Sequence, residues 1–246
     1  MSALGNRDRL SARKEEIDWL EIVLKSEFFG VIKAFCGNPV AKYWLTGVLP
    51  AFCDGISPLT ATQVISFDKQ YQSLCGFTQE DVDAIVTRAM RRFSESERNI
   101  TLTSLKYWYN GYKFNRSSSG SETPIVYNPQ LVFVHLQMIM SRSTRMPHVE
   151  EANAIHSATV LSTMVEAGAI TVQHLMDMLL TKKAKGRVLP ELSYLELMQK
   201  GRSEDATWSL LYYLGIVTFD KDSGYLCVPN FCMVYLVSPR MCFGRV

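Results

Sequence analysis

Two dipeptides, Asn110-Gly111 and Asn128-Pro129, constrain this chain more than any other feature. Asn-Gly takes left-handed backbone angles cheaply, so the helix predicted over TLTSLKYWY stops there. Asn before Pro is a helix cap followed by a proline at the first helical position, so QLVFVHLQMIM starts a new helix. Between them GYKF and PIVY are short extended runs joined by the serine-rich RSSSGSE. The segment therefore reads as helix, hairpin, helix. It carries Tyr107, Trp108, Tyr109, Tyr112, Phe114 and Tyr127. Rings at this density more commonly pack a hairpin against its flanking helices than form an exposed stacking platform.

Hydrophobic spacing places the other elements. In FTQEDVDAIVTRAMRRF, Thr78 is an N-cap with Asp81 three positions on, a variant of the capping box. Val82, Ile85, Val86, Ala89, Met90 and Phe93 form its apolar face, and Arg88, Arg91 and Arg92 suit the negative end of the helix dipole as a solvated face. A long helix is predicted over residues 12 to 35, capped by Ser11, with Ile17, Leu20, Leu24, Phe28 and Val31 at helical spacing. KYWLTGVLP, residues 42 to 50, has the pattern of a strand buried on both faces, as in a parallel sheet. Residues 52 to 76 read as loop and a short helix, and residues 155 to 167 and 171 to 180 as helices around a break at Gly168. TKKAKGR, residues 181 to 187, reads as a basic loop, a solvated linker before a phosphate contact. A helix ending at Gly215, a strand GIVTF, the turn DKDSG and a strand YLCVP close the pattern as a two-stranded wing.

Several function classes are disfavoured. The 246 residues are 47% hydrophobic and 20% charged, enough for a substantial core. A net charge of +2 points to neither a nucleic-acid binder nor an acidic-ligand binder, although local basic patches remain open. The charged first 26 residues hold no apolar signal core, and the late uncharged run is too short for a membrane span. Six cysteines without a Cys-x-x-Cys pair fit a reduced chain, so an intracellular location, cytoplasmic or nuclear, is expected. His135, His148, His156 and His174 are scattered and suggest no metal site. No G-x-x-x-x-G-K-[ST], Gly-x-Gly-x-x-Gly, Gly-x-Ser-x-Gly or His-Glu-x-x-His motif occurs. Asp220 follows an apolar strand, but it opens a hairpin turn, a poor place for a metal ligand.

YWLTGVLPAFCDGISPLT, YQSLCGFTQEDV, YWYNGYKF, VYNPQLVFVHL, SLLYYLGIVTF and LCVPN occur in that order. Together they resemble the AAA-ATPase-like domain family of fungi, oomycetes and bacteria, from about residue 20 to 235. The WYNGY…VYNP pair followed by LLYYLGIVTF carries most of the specificity. The likeness departs after Asn230, where Phe231-Cys232 stands in place of the family's acidic residue and valine. A restriction-type nuclease domain often follows in relatives; none of its motifs occurs here.

The resemblance implies the C-terminal portion of such a protein, without the Walker A loop and the Walker B strand. The expected fold class is α+β, mainly helical: a remnant of a P-loop α/β sheet strand, a helical lid and a winged-helix-like end. Three parts follow: an ATPase-core remnant at 1–76, a lid with its hairpin at 77–150 and a helical, winged-helix-like region at 151–246. Thr46 and Gly47 would stand near a nucleotide at the strand tip, and Lys113 would reach a phosphate unless it is simply an exposed hairpin lysine. Trp108, Tyr109, Asn110, Gly111, Tyr112, Tyr127, Asn128 and Pro129 form the lid-side signature. No catalytic residue, metal or cofactor is assigned to the chain alone; ATP and Mg²⁺ belong to intact relatives. Expected partners are a P-loop-containing chain or a second copy, with no membrane. The rival readings are a non-catalytic protein-interaction module and nucleic-acid binding through the winged-helix-like end.

Overall fold

The computed structural model describes residues 19, 22–35, 42–47, 50–52, 63–115, 124–141, 172–193, 203–220 and 225–237. Ser11, the serine-rich loop, the helix expected at 155–167 and most of the DKDSG turn lie outside them. The chain divides into two compact units, Met1–Gln63 with Glu191–Met198, and Val64–Pro190 with Gln199–Val246. The expected lid and winged-helix-like segments thus group largely into one unit, because hydrogen bonds between residues 105 positions apart tie them together.

In the first unit a π-helical stretch, Val23–Phe29, runs into helix α1, Gly30–Phe35. Phe28 and Val31 of the expected apolar stripe are exposed. Strand β1, Ala51–Phe52, pairs in parallel with β5, Leu192–Ser193. This corrects the reading of KYWLTGVLP as a doubly buried strand. Residues 42–47 are not in a ladder, and Trp44 and Leu45 are exposed. The ladder begins only where β5 supplies a partner, with the Leu192 N–H donating to the Pro50 carbonyl at 3.1 Å. Apolar composition marked the neighbourhood; the hydrogen-bonding partner set the register.

The second unit is built on three well-capped helices, α2 (Gln79–Ala89), α3 (Glu95–Tyr109) and α4 (Pro129–Met140). The Thr78–Asp81 capping box forms as predicted, and Ser94 with Glu97 makes a second. Each satisfies amide groups that a helix start otherwise leaves bare. The Asn128 side chain accepts from the Gln130 and Leu131 amides, with Pro129 at the first helical position. Val82, Val86, Met90, Leu105, Leu131, Val132 and Leu136 interlock as the core, joined by Tyr109, Tyr127, Cys232 and Met233. Each large apolar side chain buried this way contributes about 1.5–3 kcal/mol. Arg88, Arg91 and Arg92 are exposed.

Between α3 and α4 the chain makes the expected hairpin, β2 (Asn110–Tyr112) against β3 (Val126–Tyr127), antiparallel with an irregularity at Gly111. Tyr127 also exchanges backbone hydrogen bonds with Phe77, at 2.8 and 3.2 Å.

The rest of the unit runs α5 (Val172–Thr181), β4 (Ala184–Lys185), α6 (Glu204–Tyr213), β6 (Thr218–Phe219), β7 (Tyr225–Cys227) and α7 (Phe231–Val237). The predicted β6–β7 pair gains a third strand, giving an antiparallel sheet ordered β4-β7-β6. TKKAKGR is therefore not a loop: its middle is a sheet edge. Tyr212 packs on Phe219 at 4.9 Å between ring centres and on Phe67 at 5.9 Å. The observed class is α+β, with small sheets set among helices.

Candidate functional site

The signature hairpin meets the three-stranded sheet within the second unit, and the meeting depends on Gly111. Its φ of 137° lies where side chains are strained. A Cβ on Gly111 would stand 1.8 Å from the Pro229 carbonyl oxygen. Glycine is thus needed both for the angle and for the approach of two backbones. The predicted positive φ is present, yet Asn110 and Gly111 belong to β2 as well as ending α3, so the glycine serves a crossing rather than a simple helix cap.

Past this crossing, Lys113 is joined to Thr218 twice: its N–H donates to Thr218 Oγ1, and that hydroxyl donates to the Lys113 carbonyl, both at 2.8 Å. The Tyr212 hydroxyl donates to the Phe114 carbonyl at 3.1 Å. These bonds satisfy the backbone of the hairpin's exit on the neighbouring sheet and helix, as burial requires. Lys113 is only 6% exposed, which overturns its reading as an exposed hairpin lysine. Its Nζ lies 3.5 Å from the Asp220 carbonyl oxygen, and the Asp220 carboxylate pairs with Lys183 Nζ at 2.6 Å. Cys227 sits beside these charges. Burial pushes its thiol up to about 11, Asp220 adds to the rise, and Lys183 and Lys113 oppose it. A thiol held protonated at neutral pH is a poor nucleophile.

The aromatic signature residues pack around the hairpin. Tyr109 is buried with its hydroxyl 3.4 Å from His135 Nδ1. Tyr112 is buried, and desolvation raises its phenol far above the ordinary range against the pull of Asn230. The Tyr127 hydroxyl donates to the Gln79 side chain, and burial, helped by Asp83, raises it to about 12 while Gln79 and Asn110 oppose the shift. Trp108 is half-buried, edge-on to Phe231 at 4.8 Å. Tyr107 is exposed and stacks on Phe231, also at 4.8 Å. The signature is chiefly packing, as expected.

Of the predicted residues the structure brings Lys113 to Thr218, Asp220 and Cys227, while Gly111 meets Pro229, Tyr112 neighbours Asn230, and Tyr127 packs in the helical core with Gln79. Thr46 and Gly47, exposed on an extended segment, belong to the other unit. Sequence reasoning missed Thr218 and Lys183. A hydroxyl inside the apolar run GIVTF is the one signal that marked Thr218. Among the described residues no three His, Cys, Asp or Glu side chains gather as a metal-ligand set, and no helix is long and apolar enough to cross a membrane. No protein-family model, no curated protein and no solved structure matches this chain.

Proposed function

We propose that this chain is a non-hydrolysing portion of an AAA-ATPase-like protein, in which the YWYNGYKF–VYNP segment is a structural clamp. The observation that carries this reading is the burial of Lys113 between Thr218 and Asp220. Its backbone is engaged twice by Thr218, and its amine faces a carbonyl rather than open space. A cation used on phosphate needs room for the phosphate beside it. The clamp would fasten a helical lid to a winged-helix-like end. The succession α5, β4, α6, β6, β7, with the first strand returning beside the last, supports that description of the end.

Phosphoryl transfer requires a backbone cradle and lysine on the phosphates, a held Mg²⁺ and a positioned water. The sequence carries neither the glycine-rich loop with its lysine nor an apolar strand ending in paired acids. In this reading a P-loop-containing chain or a second copy would complete any nucleotide site. Phosphate release with Mg²⁺-ATP, and displacement of a fluorescent ATP analogue, test it on the purified protein. Turnover at background is expected, with Lys113→Met binding the analogue no differently from the parent. Turnover that follows the protein through purification and falls on Lys113→Met would overturn it.

A further inference from the structure

The stretch Lys183-Ala184-Lys185-Gly186-Arg187 places a cation at every second position. Side chains of an extended chain alternate between two faces, so the order of the small residues decides what the cations do. Ala184 is half-buried. A Cβ on Gly186 would stand 2.8 Å from the Trp208 ring and 3.0 Å from Leu226, so that position faces the core. Lys183, Lys185 and Arg187 therefore share one face; Lys183 is held there by the Asp220 carboxylate at 2.6 Å, and Lys185 and Arg187 are exposed. Tyr225 lies directly opposite Lys185 across the ladder, is itself exposed, and has Lys183 Nζ 5.9 Å from its ring centre. Strand β4 is the edge of its sheet.

We propose that this edge binds single-stranded nucleic acid, with Lys185 and Arg187 on successive phosphates and Tyr225 stacked against a base. Cations on one face of an extended chain recur about every 6.8 Å, on the order of the phosphate repeat of an extended single strand. Positive charge following a backbone beside an exposed ring is the arrangement by which proteins hold single strands without reading sequence. Duplex DNA fits less well. The helix before the wing, α6, is buried at every residue from Ala206 to Tyr212 and acidic in its first turn, so it has no face to offer a major groove. A membrane surface fits less well too, because a basic membrane-binding face carries large apolar residues for the acyl boundary, and this face has one tyrosine.

Fluorescence anisotropy with a labelled oligothymidylate, measured across a salt series on the full chain, tests the proposal. Log affinity against log salt is expected to fall with a slope of about −1.4, roughly 0.7 for each of the two cations engaged. Lys185→Gln with Arg187→Gln should remove most of the binding and flatten the slope. Tyr225→Ala should weaken binding roughly tenfold at an unchanged slope, and Tyr225→Phe should restore it. Matching thermal melts establish that each variant is folded, and Lys185→Gln alone serves if the double variant is not. Absence of salt-dependent binding, tighter binding to a duplex of equal length, or full affinity in folded Tyr225→Ala would each overturn the proposal. So would binding to phosphatidylserine vesicles without binding to the oligonucleotide.

Discussion

Lys113 directly follows the short antiparallel strand β2 and Lys185 lies in the short antiparallel strand β4 of the same unit, yet one is buried and the other faces water. The residue type is the same, and the surroundings differ. At Lys113 a glycine two positions earlier lets the hairpin sink onto the Pro229 backbone, and Thr218 then holds the strand's exit from inside. At Lys185 the strand is an edge. Its inner face is filled by Trp208 and Leu226, so its outer face keeps its charges in solvent. A lysine's exposure is set by what covers its strand. The first lysine serves the fold, and the second is left free to serve a surface.

The largest way to probe this contrast is alkaline pH. Tyr112, Tyr127 and Tyr212 around the buried hairpin, and Cys227 on β7, all have pKa values raised by burial, to about 12 for Tyr127 and about 11 for Cys227. Their neutral forms are favoured in the folded state, so the stability they contribute is fully present below the unfolded thiol and phenol ranges, about 8.5 and 10. It is lost as pH rises through those ranges toward the folded values. Cooperative unfolding is expected between about pH 9 and pH 12 on this basis. Phenolate absorbance beyond that of the exposed tyrosines should appear together with loss of helical circular dichroism. Phenolate forming fully while the helical signal persists would show that the hairpin is open to water.

Next in size is Gly111→Val. It meets both the Pro229 carbonyl and a forbidden backbone angle, so a cost of at least about 3 kcal/mol is expected, at the upper end for one substitution. A denaturant midpoint close to that of the parent chain would mean the two backbones do not touch. On the edge strand the matching change is Gly186→Val, expected to cost about 1–3 kcal/mol by overpacking Trp208. Its neighbour provides the control. Lys185→Gln, on the outer face, should stay within about 0.5 kcal/mol. Equal costs at 185 and 186 would erase the inside–outside alternation on which the surface reading rests.

The two strands also differ in how much of them could be read in advance. Asn110, Gly111, Asn128 and Pro129 are punctuation with strong local chemistry, so the hairpin and its flanking helices were legible. Strand β4 was not, because its inward residues are Ala184 and Gly186. Small residues give no hydrophobic alternation, and the lysines between them resemble a solvated loop. At Gly186 there is no room for a side chain because Trp208, which lies in a different element, occupies the space. The burial of Lys113 was hidden for a similar reason, since its partner Thr218 is 105 positions away. The apolar run at 42–50 erred in the opposite direction: composition suggested a buried strand, while its described residues 42–47 are outside any ladder and Trp44 and Leu45 are exposed. What local chemistry dictates was visible; what a distant side chain dictates was not.

The smallest effect concerns how the basic strand is entered. Lys182 has a φ of 60°, in the left-handed region, immediately after α5 ends at Thr181. The Thr181 hydroxyl lies 2.7 Å from both the Asp177 and Lys183 carbonyl oxygens and receives the Lys183 N–H at 3.3 Å, so the turn is fixed from within. A side chain at such a position costs on the order of 1 kcal/mol, which is why glycine usually ends helices this way. Glycine would relieve that strain but would lose more freedom on folding, which offsets part of the gain. Lys182→Gly is therefore expected to stabilise the unit by about 0.5 kcal/mol, seen as a small rise in the denaturant midpoint at constant slope. The same substitution removes a cation next to the proposed phosphate track. If Lys182 only shapes the turn, the more stable protein will hold an oligonucleotide as well as before. If its charge contributes, affinity will fall while stability rises. A fall in both would mean that Lys182 makes contacts beyond this turn, and the separation between the hairpin lysine as part of the fold and the edge lysines as a surface would fail at its boundary.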